Sequence, residues 1–217
     1  MRLLTLPGVF RPRSDSLLLA EIIAREPGLP GARVLDLCCG SGVIALSAAA
    51  GGGGEVVAVD LSRRAVVTTR LNAWRRGVRV RARRSDLFAA VPAGPFDLIA
   101  SNPPYVPAPG DGRPRGAARA WDAGRDGRAL LDPICRQAPA RLAPGGVLLL
   151  VHSSVCGTDA TCRTLAAAGL EVEVIARRRG ALGPLLSERA GMLERRGLLE
   201  PGAREEEIVV VRGRRPG

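Results

Sequence analysis

Lysine is absent from this chain. Its 32 basic residues are all arginine, set against 21 acidic ones, for a net charge of +11. A basic balance of that kind favours a nucleic-acid partner. The accompanying 27 glycines and 17 prolines mark much of it as a composition bias, so the charge alone assigns nothing. Aromatic residues are few: three Phe, two Trp and one Tyr. That is too few for an RNA surface built on stacked rings. Five cysteines, Cys38, Cys39, Cys135, Cys156 and Cys162, are scattered with no pair at zinc-ligand spacing. Their odd number fits free thiols in a reducing cytosol, with no disulfide framework and no metal site expected. No apolar run reaches membrane-spanning length, so no membrane partner is expected. The opening "MRLLTLPGVF" lacks the apolar core and cleavage site of a signal peptide, which implies a cytoplasmic protein.

What is present is a strand–helix alternation in a chain of 217 residues, 46% of them hydrophobic, enough for one compact domain. "SDSLLLAEIIARE" (14–26) reads as a helix stopped by Pro27-Gly28. "RVLDLC" (33–38) is a short apolar run before a glycine turn, and "VIALSAAA" (43–50) is helical. "EVVAVD" (55–60) is a buried strand ending in an acid. Ser62 should cap a helix to Arg76, with Val67, Leu71 and Trp74 on one face and Gly77 as its stop. "VRVRARRSD" (78–86) alternates like a half-exposed edge strand whose arginines discourage wrong pairing. "FDLIASN" (96–102) is the next buried strand. Residues 106–127 form a long loop. Asp132 is expected to cap a helix with Pro133 at its first position, ended by Pro139. "GGVLLLVHSS" (145–154) is a central strand, followed by a helix over 158–168 and a strand "EVEVIA" (171–176). Residues 185–199 look helical, "EEIVVV" (206–211) is the last strand, and the tail "RGRRPG" is expected to be disordered. Repeated alternation predicts an α/β fold with a doubly wound, mainly parallel sheet, which binds ligands at the carboxyl ends of its strands.

The stretch "VLDLCCGSGVIA" (34–45) is strand, glycine turn and helix. Gly40, Gly42 and Ala45 satisfy G-x-G-x-x-A, a turn that several nucleotide cofactors share. Glycine lets the backbone approach a ligand, and the helix start offers free N–H groups. Asp60 stands where an acid grips ribose hydroxyls. Asp36, inside the first strand, suits the ammonium of a methionine moiety better than a pyrophosphate. Asp86, in "SDLF", ends the third strand with a further acid, which in the layout of the methyltransferases faces the adenine amine. Leu61 and Leu87 follow these acids and are counted with them. Each acid could instead be a strand-end carboxylate or a cap. The ordered set of three points to S-adenosylmethionine (SAM), with S-adenosylhomocysteine as product.

"VLDLCCGSG", "AVD", "SDLF" and "SNPPY" occur in the order seen in class I SAM-dependent methyltransferases. More narrowly, the chain resembles the HemK/PrmC family, which methylates the glutamine side-chain amide in the GGQ motif of peptide-release factors. "GVFRPRSDSLLLAE" (8–21) is similar to that family's segment of the P-R-x-D-T type, and "WDAGRDGRALLD" (121–132) to its G-x-D-G stretch. In compactness the chain is closer to the HemK2-type members, which work with a small zinc-binding activator along the third strand. The arginines on that strand here argue against such a subunit. Where the family has L-G-T-G-S-G, this chain reads "LCCGSG". The resemblance implies a seven-stranded Rossmann-like methyltransferase domain over 31–213, an N-terminal segment and helix over 1–30 packed on it, and a disordered tail at 214–217.

Methyl transfer from a sulfonium is an in-line displacement. An amide nitrogen is a poor nucleophile, so two acceptors that take its N–H groups hold it and aim its lone pair. Asn102 offers a side-chain oxygen and Pro103 a backbone carbonyl, which Pro104 stiffens. Tyr105 offers a ring face, and Asn102 also borders the cofactor. Phe10, Pro12, Asp15, Pro104 and Trp121 are candidate substrate contacts. His152 is a weaker candidate, as are Arg113, Arg115, Arg119, Arg125 and Arg128 of the long loop. The expected partner is a release factor. A nucleic-acid base of the adenine N6 type, a small molecule, a non-enzymatic subunit and an NAD(P) oxidoreductase are the alternatives.

Overall fold

The computed structural model describes residues 3–110 and 116–217. Its strands are β1 (Arg33–Leu37), β2 (Glu55–Asp60), β3 (Arg81–Arg84), β4 (Phe96–Ser101), β5 (Leu142–Ser153), β6 (Glu171–Ala181) and β7 (Glu205–Arg214). They form one seven-stranded sheet in the order β3-β2-β1-β4-β5-β7-β6. The first five are mutually parallel, and β7 runs antiparallel between β5 and β6. This is the doubly wound, mainly parallel sheet expected. Its strand order reverses between β1 and β4, which opens a crevice at their carboxyl ends.

Helices α1 (Ser14–Ile23), α2 (Val43–Ala50) and α3 (Arg63–Arg75) cover one face. There Leu19, Ile23, Ile44 and Val66 pack on Val34, Ala58, Leu98 and Leu149. Helices α4 (Leu131–Gln137) and α5 (Thr158–Ala167) cover the other. There Leu131, Ile134 and Leu165 pack on Leu35, Ile99, Leu148 and Val209. Strands buried on both faces explain the near-continuous apolar runs of β1, β2 and β4. Two short helices, α6 (Pro184–Glu188) and α7 (Ala190–Arg195), replace the single helix expected over 185–199. With Val155 and Leu182, their Leu186 and Leu193 make a small separate core.

Four further expectations are corrected. The Val67, Leu71, Trp74 stripe of α3 faces outward, with Trp74 77% exposed. The buried face carries Val66, Thr68, Thr69, Asn72 and Ala73 instead, because its polar groups all find partners. The edge strand begins at Arg81, since Gly77, at φ 64°, and the Val78 N–H to Ala73 O bond first close the end of α3. Asp132 lies inside α4, whose N-cap is Leu130, and Asp132 pairs with Arg128 rather than capping. The tail is ordered further than expected: Arg214 belongs to β7, and Arg215 exchanges backbone bonds with Gly145 and Gly146. Arg113 and Arg115 lie outside the described residues.

Candidate active site

The turn after β1 is built tightly. Asp60, at the end of β2, accepts the Gly40 N–H through Oδ2 at 3.0 Å and the Ser62 N–H through Oδ1 at 2.8 Å. Burial raises the Asp60 carboxyl above its ordinary value, and these two N–H groups oppose the rise. Gly40 has φ 53°, and a Cβ there would stand 3.8 Å from Phe10. Gly42 has φ 87°, and a Cβ there would come within 2.8 Å of Thr69. Gly42 is therefore required by packing of the turn on α3, and it lies outside the cavity wall.

Helix α3 props this turn from behind. Thr69 Oγ1 donates to Gly40 O at 3.2 Å, and Asn72 Nδ2 donates to Ser41 O at 3.0 Å. Asn72 also pairs with the backbone of Leu4, which ties the N-terminal segment to the same helix. Neither residue was singled out in the sequence. The available signal was a run of polar residues on a face that must be buried.

Asp36 is fully buried, and its Oδ2 accepts the Ala45 N–H at 3.0 Å. Its Oδ1 is buried with no partner among the described residues. Burial raises its carboxyl well above the ordinary value. On β1 the Asp36 side chain sits beneath the turn, against α2, and does not line the cavity.

The cavity itself measures about 1310 Å³. That exceeds the roughly 300–1,000 Å³ typical of a single-ligand pocket, so it has room for a cofactor and an acceptor together. Gly40, Asp60, Leu61, Asp86 and Leu87 line one part, and Asn102, Pro103, Pro104 and Tyr105 another. Phe10, Pro12, Asp15 and Trp121 close over them. Asn102 Nδ2 donates to Asp15 Oδ2 at 3.1 Å and to Ser16 Oγ at 2.8 Å, and the Tyr105 hydroxyl donates to Asp15 Oδ2 at 2.8 Å. Burial, then the Asp15 charge and hydrogen bond, push the Tyr105 phenol well above its ordinary value, so it stays protonated.

The long loop is less irregular than its composition. Val106 donates its N–H to Trp121 O at 2.8 Å and accepts the Ala123 N–H at 2.9 Å, an isolated bridge across the loop. Arg189 of the α6–α7 pair holds it from outside, donating to Pro107 O at 2.8 Å and to Asp122 Oδ1 at 2.7 Å. Gly127 packs against the Tyr105 carbonyl so closely that a side chain there would collide. Leu182, Leu185, Leu186 and Glu206 add a wall that carries no local motif and was not foreseen. His152 is fully buried on β5 and away from the cavity. Among the described residues no three metal-ligating side chains gather, and no helix is long and apolar enough to cross a membrane.

Residues 1–112, which carry the glycine turn and the Asn102–Tyr105 stretch, match the methyltransferase small domain model. The chain belongs to the methyltransferase small domain family. A Methanocaldococcus jannaschii protein, provisionally named a protein N5-glutamine methyltransferase, is 35% identical over 172 residues, covering 79% of this chain and 85% of that protein. The release factor glutamine methyltransferase of Bordetella pertussis is 44% identical over 157 residues, covering 67% of this chain and 57% of that one. The chain thus spans little more than half the length of that bacterial relative. Among solved structures, the E. cuniculi Mtq2–Trm112 complex, responsible for methylation of the eRF1 termination factor, aligns with a TM-score of 0.67 at 22% identity. That alignment covers 96% of this chain and 99% of the other, and it shows the shared class I fold.

Family membership makes the protein a SAM-dependent methyltransferase. Its residues fit that cofactor. The left-handed Gly40 opens the backbone to the cavity, and Asp60 and Asp86 stand at the carboxyl ends of β2 and β3. Two residues that are not glycine, Cys38 at φ 58° and Leu87 at φ 45°, also adopt left-handed backbone in this wall. Such strain collects where a ligand is gripped.

Proposed function

We propose that this methyltransferase acts on a planar NH2 group, the side-chain amide of the glutamine in the GGQ motif of a peptide-release factor. The observation that carries the reading is the joint placement of the glycine turn and the Asn102–Tyr105 stretch in the wall of one cavity. The names of the relatives support the choice of acceptor.

In this reading Asp60 and Asp86 hold the nucleoside, Leu61 and Leu87 pack beside it, and the Gly40 backbone faces the methionine moiety. The bound cofactor supplies an electrophilic methyl on sulfur. Asn102 Oδ1 and the Pro103 carbonyl accept the two N–H groups of the acceptor amide, and Tyr105 lies against its plane. Both acceptors gain as positive charge develops on nitrogen, so they stabilise the transition state more than the ground state. Held this way, the acceptor nitrogen keeps its lone pair free toward the methyl that bound SAM would supply, with S-adenosylhomocysteine as the product. The extra proton then departs from a cationic nitrogen, so no base is needed beforehand. Phe10, Pro12, Pro104 and Trp121 wall the acceptor channel. The exposed β3 edge carries Arg81, Arg83 and Arg84, which argues against an activator subunit there. The cytoplasm is the compartment such a substrate implies.

Radiolabelled methyl transfer from SAM to a release factor, to its GGQ→GGA variant and to bulk nucleic acid tests the reading. Label on the first alone is expected. Label that ignores the GGA change, or that appears only on nucleic acid, removes the glutamine assignment.

A further inference from the structure

We infer that Asp15, acting with Ser16, is the positioning residue that sets which end of the Asn102 amide faces the acceptor. The two prolines after Asn102 stiffen its backbone but leave its terminal torsion two-fold ambiguous, because that torsion is broad in any asparagine. One sense presents Oδ1 to the cavity and the other presents Nδ2. The difference is chemical. An inward oxygen accepts the acceptor's N–H and leaves its lone pair free to attack. An inward NH2 would donate to that lone pair and block it.

The first turn of α1 resolves the ambiguity. Asn102 Nδ2 has two hydrogens. It donates at 3.1 Å to Asp15 Oδ2 and at 2.8 Å to Ser16 Oγ, so both are used. Turning the amide over would set its oxygen against the Asp15 carboxylate, two acceptors with no hydrogen between them. Asp15 is itself held: its Oδ1 accepts the Ser16 N–H at 2.6 Å and the Ser16 hydroxyl at 3.3 Å. Asp15 and Ser16 are 5% and 3% exposed, so water competes little for these bonds. The same Oδ2 takes the Tyr105 hydroxyl at 2.8 Å, which joins the amide and the ring into one unit. The link crosses 87 residues of sequence and is absent from the Asn102–Tyr105 stretch itself.

The inference deepens the methyl-transfer reading and rests on it for turnover only. Tyr105 is the only tyrosine in the chain, so its phenol can be titrated by ultraviolet absorbance without assignment. In Asp15→Asn the phenol is expected to ionise at lower pH than in wild type, because the neighbouring negative charge is gone. In Asp15→Ala the Asn102 side-chain NH2 protons, followed by NMR, are expected to exchange with water faster. Both variants should bind SAM within about twofold of wild type and lose about 10²-fold in kcat, as when one preorganised transition-state contact is removed. Asp15→Asn should not rescue, because its own NH2 can face that of Asn102. Ser16→Ala, the milder change, should speed exchange of one of the two NH2 protons and keep the fold. An unshifted Tyr105 titration together with unchanged amide exchange would overturn the inference, as would an equal loss of SAM affinity and kcat. If wild type labels no release factor, the functional reading fails, and the titration and exchange measurements still decide whether Asp15 orients the Asn102 amide.

Discussion

Cys38 and Leu87 pay for their place in the cavity wall with left-handed backbone, at φ 58° and 45°. A residue with a Cβ loses about 1–2 kcal/mol there, whereas glycine does not. Glycine in turn loses more chain entropy on folding, by about 0.5–1 kcal/mol. Cys38→Gly is therefore expected to leave stability unchanged or raise it by up to about 1 kcal/mol, and Cys38→Val to lower it; urea titrations check both. Asp36 gives a pH-dependent case. Its buried carboxyl holds a proton at pH values where the unfolded chain has released it. Wild-type stability from this group is thus present at low pH and falls as pH rises through that window. Asp36→Asn keeps an oxygen for the Ala45 N–H and carries no charge. Its melting temperature relative to wild type should be higher at pH 8 than at pH 4, and an unchanged difference would contradict the assignment. The placement of individual positions in the cavity wall was partly legible. Asp60, Asp86 and Asn102 follow strands and are read locally. Asp15 was named, but its contact with Asn102 was not, because no local pattern records a pairing across such a separation.

At the scale of elements, α3 behaves as a scaffold for the glycine turn. Its buried face is half polar, and each polar group there is engaged with neighbouring backbone. Periodicity alone led to Val67, Leu71 and Trp74, because it ranks faces by hydrophobicity and cannot see partners supplied by a distant turn. Gly42→Ala is expected to destabilise by about 2–4 kcal/mol, combining left-handed strain with overpacking against Thr69. Thr69→Ser alongside it should recover part of the loss, as a thermal-melt series would record. The α6–α7 pair acts on the other side of the cavity. Arg189 and Asp122 are 15% and 13% exposed, and Arg189 also holds the Pro107 carbonyl. Arg189→Ala should raise KM for the acceptor several-fold, leave SAM affinity unchanged, and cost about 2 kcal/mol, discounted from the 3–5 kcal/mol of a fully buried pair. Calorimetry with SAM and steady-state kinetics separate the two effects. Helices α6 and α7 were legible only as a helical region, since their break at Arg189 serves a loop some distance away in sequence.

For the molecule as a whole, the sheet order was readable because parallel strands with alternating helices admit few windings. Its acid stability was not, because that depends on how deeply one histidine is enclosed. His152 is buried neutral, and burial lowers its pKa to about 4 from an ordinary 6.5. The unfolded chain takes up that proton first, so the contribution is full above pH 6.5 and is lost as pH falls toward 4. The loss is about 3 kcal/mol at most. His152→Phe should show a shallower fall in denaturation free energy between pH 6.5 and 4 than wild type. Methyl-transfer activity is a separate whole-molecule property, since the cofactor wall and the acceptor wall come from several separate segments between Phe10 and Trp121. It is tested most directly by mapping the transferred methyl in a release factor by peptide fragmentation, with wild type and Asn102→Ala side by side. Wild type should place one methyl on the side-chain nitrogen of the GGQ glutamine. Asn102→Ala should bind SAM normally and transfer at least about 10²-fold more slowly. A methyl on any other atom, or undiminished transfer by Asn102→Ala, would contradict the assignment.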